Sequence, residues 1–305
     1  MSDLQNPVFH DETKAREWLE ARIWPDGPVC PHCGSYDKPT VLKGKAHRPG
    51  LYQCNDCRKQ FTVTVGTLFE RSKIPISKWL LATYLLSASK KGMSTRQLSR
   101  MLGVSVKSSW FMMHRIREAM REGKAGALGG SNKVVEADET WIGGKAKNRA
   151  FKAPPKIEPV VALDERDGSV RSFHVESVSA STLRPILVTQ IDRASYLMTD
   201  ESAVYTKTGR EFSGHGTVNH SINEYVRGNF FRSNTVESYI SILKRGIIGN
   251  YEWVSAKHLK RYLGEFDFRY NTRDMTDFER TVIAAKGIQG KRLTYRRTSE
   301  GQPRH

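Results

Sequence analysis

Cys30-Pro31-His32-Cys33 and Cys54-Asn55-Asp56-Cys57 are two CxxC pairs separated by a 20-residue spacer, and together they use all four cysteines of the chain. Each pair sets two thiolates on one tight turn, and two such turns make a tetrahedral four-thiolate zinc site. A segment this short has too little core to fold without its metal, so the zinc is expected to be structural. The competing reading is two unrelated redox pairs. His32 and His47 lie nearby, but four thiolates already fill the shell. The cysteine-bearing stretch runs from Val29 to Val65 and ends in the alternation Gln60-Phe61-Thr62-Val63-Thr64-Val65, which predicts a β-strand.

The chain has 305 residues, enough for two or three domains, and 38% of them are hydrophobic. Its formal net charge is +17 and its pI about 9.8. So basic a chain implies a polyanionic partner, because Lys and Arg displace condensed counterions from phosphates. The opposing reading is a generally basic surface. No stretch reaches the ~20 apolar residues of a membrane span. Met1-Ser2-Asp3-Leu4-Gln5 does not lead into an apolar run, so no signal peptide is expected. The expected location is the cytoplasm of a bacterium, at the nucleoid.

Texture divides the chain. Residues 1–27 carry a short amphipathic helix over 8–23, ended by Trp24-Pro25-Asp26-Gly27-Pro28. The ribbon occupies 28–70. Residues 71–125 are helical over 76–122, and Gly126-Ala127-Leu128-Gly129-Gly130-Ser131 is read as a linker. Residues 132–275 alternate strands and helices and form a mixed α/β domain. Strands are predicted at Val134–Asp138, Pro159–Leu163, Val170–Val175, Ser195–Thr199 and His215–His220. Helices are expected over Ser181–Ile191, with Ser181 as cap, after Asn234, and over Ser255–Tyr270. Residues 276–305 are read as a basic tail without a core pattern.

Within the helical part, Ser94 caps a helix on which Leu98 and Leu102 form a buried pair, and Gly103 makes a turn. Ser105 then caps a second helix with Trp110, Met113 and Ile116 on its apolar face. This is the layout of a helix-turn-helix, whose second helix enters the major groove. Arg96, Lys107, Ser108, Ser109 and Arg115 are the candidate DNA contacts, with Met112 on the same face. An ordinary helical hairpin with a basic solvated face would look similar.

Asp138 and Asp200 end apolar runs 62 residues apart, and Glu237 follows 37 residues later in the first turn of a helix. Two strand-end aspartates and a helical carboxylate suit a pair of hard divalent cations that stabilise the attacking and leaving oxygens of an in-line phosphoryl displacement. On that helix Val236, Tyr239, Ile240, Leu243 and Ile247 form the core stripe, while Glu237, Ser241 and Lys244 share the adjoining face. Lys244 is therefore a candidate phosphate ligand. Asn234-Thr235-Val236-Glu237 also reads as a capping box, in which Glu237 does no more than cap the helix.

These motifs, in this order, resemble bacterial insertion-sequence transposases of the DDE superfamily, in the zinc-ribbon group with an ISXO-like catalytic domain. The resemblance runs from Trp24 to Arg273. It rests on the cysteine ribbon followed by Arg58-Lys59-Gln60-Phe61 and Gly66-Thr67-Leu68-Phe69, then Leu102-Gly103-Val104-Ser105 and His114-Arg115-Ile116-Arg117. It continues through Asp138-Glu139-Thr140-Trp141-Ile142-Gly143-Gly144-Lys145 and Asn234-Thr235-Val236-Glu237-Ser238 to Leu243-Lys244-Arg245-Gly246 and Glu265–Asn271. It implies an RNase H-like α/β catalytic fold and Mg²⁺-dependent DNA cleavage and strand transfer, with Mn²⁺ able to substitute. It maps the first two catalytic carboxylates onto Asp138 and Asp200, and the third onto Glu237 or Asn234. Lys145 and Arg245 join the DNA-binding set. Glu265, Arg269 and Arg273 resemble the group's trailing Glu/Arg pattern, or an ordinary salt-bridged surface. The implied partners are double-stranded transposon ends and target DNA, and synapsis of two ends implies a homodimer or higher assembly. The rival functions are a non-catalytic DNA-binding regulator and an RNase H-like nuclease that cuts without joining.

Overall fold

The computed structural model describes residues 3–121, 123, 126–143, 157–218, 226–227, 231–232 and 234–294; for Val218, Val226, Arg227, Phe231, Arg232 and Asn234 it describes the backbone alone. In chain order the elements are α1 (Glu12–Ile23), β1 (Thr40–Val41), β2 (Tyr52–Gln53), β3 (Gln60–Phe61), α2 (Ile76–Ala88), α3 (Thr95–Leu102) and α4 (Val106–Met120). There follow β4 (Val134–Gly143), β5 (Ile157–Glu165), β6 (Val170–His174), α5 (Ala180–Gln190), β7 (Tyr196–Asp200), α6 (Thr206–Gly209), β8 (Gly214–Val218), β9 (Val226–Arg227) and β10 (Phe231–Arg232). The last are α7 (Asn234–Gly246), α8 (Ala256–Asn271) and α9 (Asp277–Lys286). Two compact units result: residues 1–120 with 274–305, and residues 121–273.

In the first unit, Asp11 starts α1 by accepting the N–H groups of Thr13 and Lys14, and Ala15, Leu19 and Ile23 are buried along one stripe. β1, β2 and β3 form a three-stranded antiparallel sheet. The strand predicted over Gln60–Val65 stops at Phe61. Beyond it the backbone bonds to itself, Val65 N–H to Thr62 and Thr67 N–H to Thr64, so residues 62–67 form turns. α2 begins with its Ile76 and Ser77 amides donating to the Glu12 carboxylate of α1, at 2.8 and 3.0 Å. The region read as a coreless tail contains α9. Thr276 and Glu279 cap it in a reciprocal box, Thr281, Ala284 and Ala285 are buried, and it packs on α2. That packing joins α9 to the amino-terminal unit.

The second unit is built on a five-stranded sheet in the order β6-β5-β4-β7-β8. β4, β5 and β6 are an antiparallel meander, whereas β7 and β8 run parallel to β4. Each face has its own core. Val135, Ala137, Val161, Leu163 and Leu197 pack with Leu183 and Leu187 of α5 on one side. Ile142, Val160 and Ala162 pack with Val236, Tyr239 and Leu243 of α7 and Leu259, Leu263 and Phe266 of α8 on the other. This division is the period-two alternation of the strands. The cap of α5 is Ser179 rather than Ser181: its hydroxyl accepts the Thr182 amide two residues before the expected position.

The stretch read as a linker is part of this unit. Leu128 is buried and bridges in parallel to Ile191, the Gly129 amide donates to Glu165, and the Gly130 amide to the Ser195 hydroxyl. Gly129 has φ +85°, and a Cβ there would lie 2.0 Å from Ser195 Oγ. Gly129 thus permits a close approach of the backbone to Ser195.

Candidate functional site

The first unit holds the cysteine cluster. Its four Sγ atoms lie within 4.8 Å of one another, with Cys30–Cys57 at 3.7 Å and Cys33–Cys54 at 3.6 Å. A tetrahedron of thiolates ~2.3 Å from zinc has edges of about 3.8 Å, so the donor set fits one structural zinc. The two knuckles share a turn. Gly34 donates to the Cys30 carbonyl and Arg58 to the Cys54 carbonyl, and both adopt positive φ, 76° and 59°. Burial raises the Cys30 thiol, but the amides of His32 and Cys33 and the neighbouring thiols outweigh it and hold the group at about 7, closer to the thiolate that a metal takes. Trp24, Tyr52 and Phe61 close the surround, with Tyr52 and Phe61 stacked at 5.6 Å.

In the same unit, α3 and α4 are joined by Gly103 at φ 61°, and Ser94 caps α3 through the Gln97 amide. Ser105 accepts the Ser108 amide at 3.1 Å at the start of α4. Arg96 and Lys107 are exposed and Ser108 is half-buried at this end of the pair. Ser109 is turned inward instead: it is fully buried and its hydroxyl donates to the Thr95 carbonyl, tying α4 to α3. Met112 is buried too. Arg115 is half-buried and donates to the carbonyls of Glu70 and Leu293. Helical periodicity alone could not tell which side of α4 faces α2 and α9.

In the second unit, β4 and β7 are paired in parallel through Val134–Tyr196, Val135–Leu197 and Glu136–Met198. Two residues beyond the last of these pairs come Asp138 and Asp200, and the Asp200 charge acts on Asp138. The alternation that sends Val135 and Ala137 to the α5 side sends Glu136 and Asp138 to the α7 side, where Glu237 lies in the first turn. Burial, and then the like charges of Glu139, Asp200 and Glu237, raise Asp138 to about 6 against the pull of the Glu139 amide. Its electrostatic neighbours are thus carboxylates, a donor set suited to hard divalent cations. Among the described residues only the cysteines bring three ligand atoms within 4.8 Å of one another. The acidic groups are spaced more widely than that.

Glu139 points to the opposite face, where the buried Tyr205 donates to it at 2.5 Å; burial raises its carboxyl. The amides of Thr235 and Val236 at the start of α7 are taken by Glu136, a residue of β4. Lys244 is exposed and lines a cavity of about 270 Å³ with Trp141, Ile247 and Trp253. Arg245 is exposed and donates to the Ser241 carbonyl. Glu265 and Arg269 form a buried pair at 2.9 Å, not a surface one, and Tyr251 also donates to Glu265. Lys145 and the Asn234 side chain lie outside the described residues. Glu136, Arg166 and Tyr205 are the residues that motif reading missed; only the two-residue step from Glu136 to Asp138 hinted at the first.

Residues 127–271 match the family of ISXO2-like transposase domains, and residues 10–60 match the transposase zinc-ribbon domain. The chain carries an ISXO2-like transposase domain behind a transposase zinc ribbon. The transposase match spans the whole five-stranded sheet with α7 and α8, and the ribbon match spans all four cysteines. A protein of Halobacterium salinarum, described as an uncharacterized protein in transposable element ISH50, is 28% identical over 290 residues, covering 86% of this chain and 92% of its own. Among the described residues no helix of this transposase chain is long and apolar enough to cross a membrane.

Proposed function

We propose that this chain binds the terminal repeats of an insertion sequence and catalyses Mg²⁺-dependent DNA cleavage and strand transfer at Asp138, Asp200 and Glu237. The observation that carries the reading is the parallel register of β4 and β7, which runs toward Asp138 and Asp200, together with the like charges of Asp200 and Glu237 acting on Asp138. The sheet order, an antiparallel meander followed by two strands parallel to its first, supports an RNase H-like fold.

Asp138 and Asp200, on adjacent strands, would hold the cations from a rigid floor, and Glu237 would do so from the helix. A bound Mg²⁺ pair would supply Lewis-acid activation and charge neutralisation at the scissile phosphate. Hydrolysis breaks the P–O3′ bond and leaves a 3′-hydroxyl on the element and a 5′-phosphate on the flank. That hydroxyl, losing its proton, attacks a target phosphorus and displaces the target's own 3′ oxygen. No side-chain nucleophile is required. Glu237 is favoured over Asn234 as third ligand because Glu136 already takes the first-turn amides, which removes the need for Glu237 as a cap. The exposed Arg96 and Lys107, with Ser108, would face DNA at the helix-turn-helix, and the basic charge of the chain supports phosphate binding. Joining two ends calls for at least two copies.

The test is a reaction of purified protein, Mg²⁺ and a duplex ending in the element's terminal repeats, read for nicked and joined products. Asp138→Asn and Asp200→Asn are expected to lose both products and keep DNA binding. Full activity in either variant would overturn the assignment. Binding without any cleavage by the wild type would point to a regulator, and cleavage without joining to a nuclease.

A further inference from the structure

We propose that Glu136 is the positioning residue of the carboxylate site: it caps α7 from β4 and so fixes Glu237 opposite Asp138. This rests on the reading of Asp138, Asp200 and Glu237 as the cation site.

Glu136 has no exposed surface. One carboxylate oxygen, Oε2, accepts the amides of Thr235 and Val236, both at 3.1 Å. The other, Oε1, accepts Arg166 Nε at 2.6 Å and faces the Thr235 hydroxyl at 3.5 Å. The first amides of a helix have no partner within it, and they carry the positive end of its dipole. A cap supplied by Asn234 or Glu237 would satisfy them locally and leave the helix free to shift on the sheet. Glu136 satisfies them from the sheet itself. Glu237 follows Val236, the second capped residue, and Asp138 follows Glu136 by one strand repeat on the same face. One side chain thus ties the helical ligand to the strand ligand across two hydrogen bonds. Arg166, whose side chain is 13% exposed, balances the buried charge, and its own amide is anchored to the Val134 carbonyl at the start of β4.

Removing Glu136 alone would also break its ion pair with Arg166, so the decisive comparison uses two double variants of the full chain. E136Q/R166M and E136M/R166M both remove the ion pair, but only the first keeps an oxygen for the two amides. Two quantities are read: hydrogen exchange of the peptide covering the first turn of α7, and Mn²⁺ affinity followed by the electron paramagnetic resonance of free Mn²⁺. E136Q/R166M is expected to stay within threefold of wild type in both. E136M/R166M is expected to exchange at least tenfold faster in that peptide, with β5 and α5 unchanged, and to bind Mn²⁺ about tenfold more weakly. Equal behaviour of the two variants, or tenfold faster exchange in E136Q/R166M, overturns the proposal. Asp138→Asn is the control for the site itself. Unaltered Mn²⁺ binding in that variant would remove the cation site, whereas its loss there with no difference between the double variants would remove only the role of Glu136.

Discussion

Tyr205 donates a 2.5 Å hydrogen bond to Glu139, the residue that follows Asp138 on β4 and faces away from it. Both groups are partly or wholly withdrawn from water, and the neighbouring Asp200 adds a like charge to Glu139. Tyr205→Phe deletes the donor and leaves the carboxylate under-satisfied. The expected cost is about 1–3 kcal/mol in urea unfolding. A variant as stable as wild type would show that water replaces the phenol without loss.

The cysteine cluster predicts one zinc per chain. Cys54→Ser removes a buried ligand and is expected to lower zinc content below half and to abolish ribbon folding, because binding and folding of such sites are one event. Zinc content by atomic emission and near-ultraviolet dichroism of Trp24 and Tyr52 check this. Retention of both signals would refute a four-thiolate site.

Burial separates the basic and polar residues of the α3–α4 pair into two classes. Arg96→Ala and Lys107→Ala are expected to weaken DNA binding and each to flatten its dependence on salt by roughly one phosphate contact. Ser109→Ala is expected instead to cost about 1 kcal/mol of stability, since its hydroxyl serves the Thr95 carbonyl. A salt slope changed by Ser109→Ala but not by Arg96→Ala or Lys107→Ala would reverse the assignment.

Gly129→Ala tests whether residues 126–131 are packed or slack. The added Cβ would meet Ser195 Oγ at 2.0 Å and Cβ at 2.9 Å in a backbone with φ +85°. The expected loss is about 1–3 kcal/mol, seen as a lower urea midpoint. An unchanged midpoint would restore the linker reading.

Asp164 predicts a pH dependence. Burial, with the nearby Glu136 charge, lifts its carboxyl to about 7 despite the Tyr270 hydroxyl. Below the unfolded value of 3.8 both states hold the proton, and its contribution is fully present. Between about 4 and 7 the unfolded chain ionises while the fold retains the proton, so stability falls as pH rises, and then levels off. Asp164→Asn does not titrate. Its stability relative to wild type should therefore climb from pH 4 to 7 and hold constant above. Parallel stability curves for the two proteins across that range would contradict the shift.

What the sequence by itself determined was local. The CxxC spacing, the Ser94 and Ser105 caps around Gly103, and the strand alternations each act over a few residues, where chain geometry leaves little choice. Asp200 was legible as a strand end for the same reason; Asp138, also read as one, lies inside β4, which continues to Gly143 because β5 pairs with it that far. Their pairing was not legible, because it depends on β7 lying parallel to β4, although Asp138 and Asp200 are 62 positions apart. Tertiary structure alone also decided which polar residues face inward. Ser109 and Arg115 share a helix with Lys107 yet serve the core, since α4 is packed on more than one side. The same applies to Glu136, whose partners at 166, 235 and 236 are remote in sequence. A carboxylate reads alike as surface charge, metal ligand or cap until its neighbours are known. Only the fold brings unpaired amides and a guanidinium to Glu136, and like charges to Asp138.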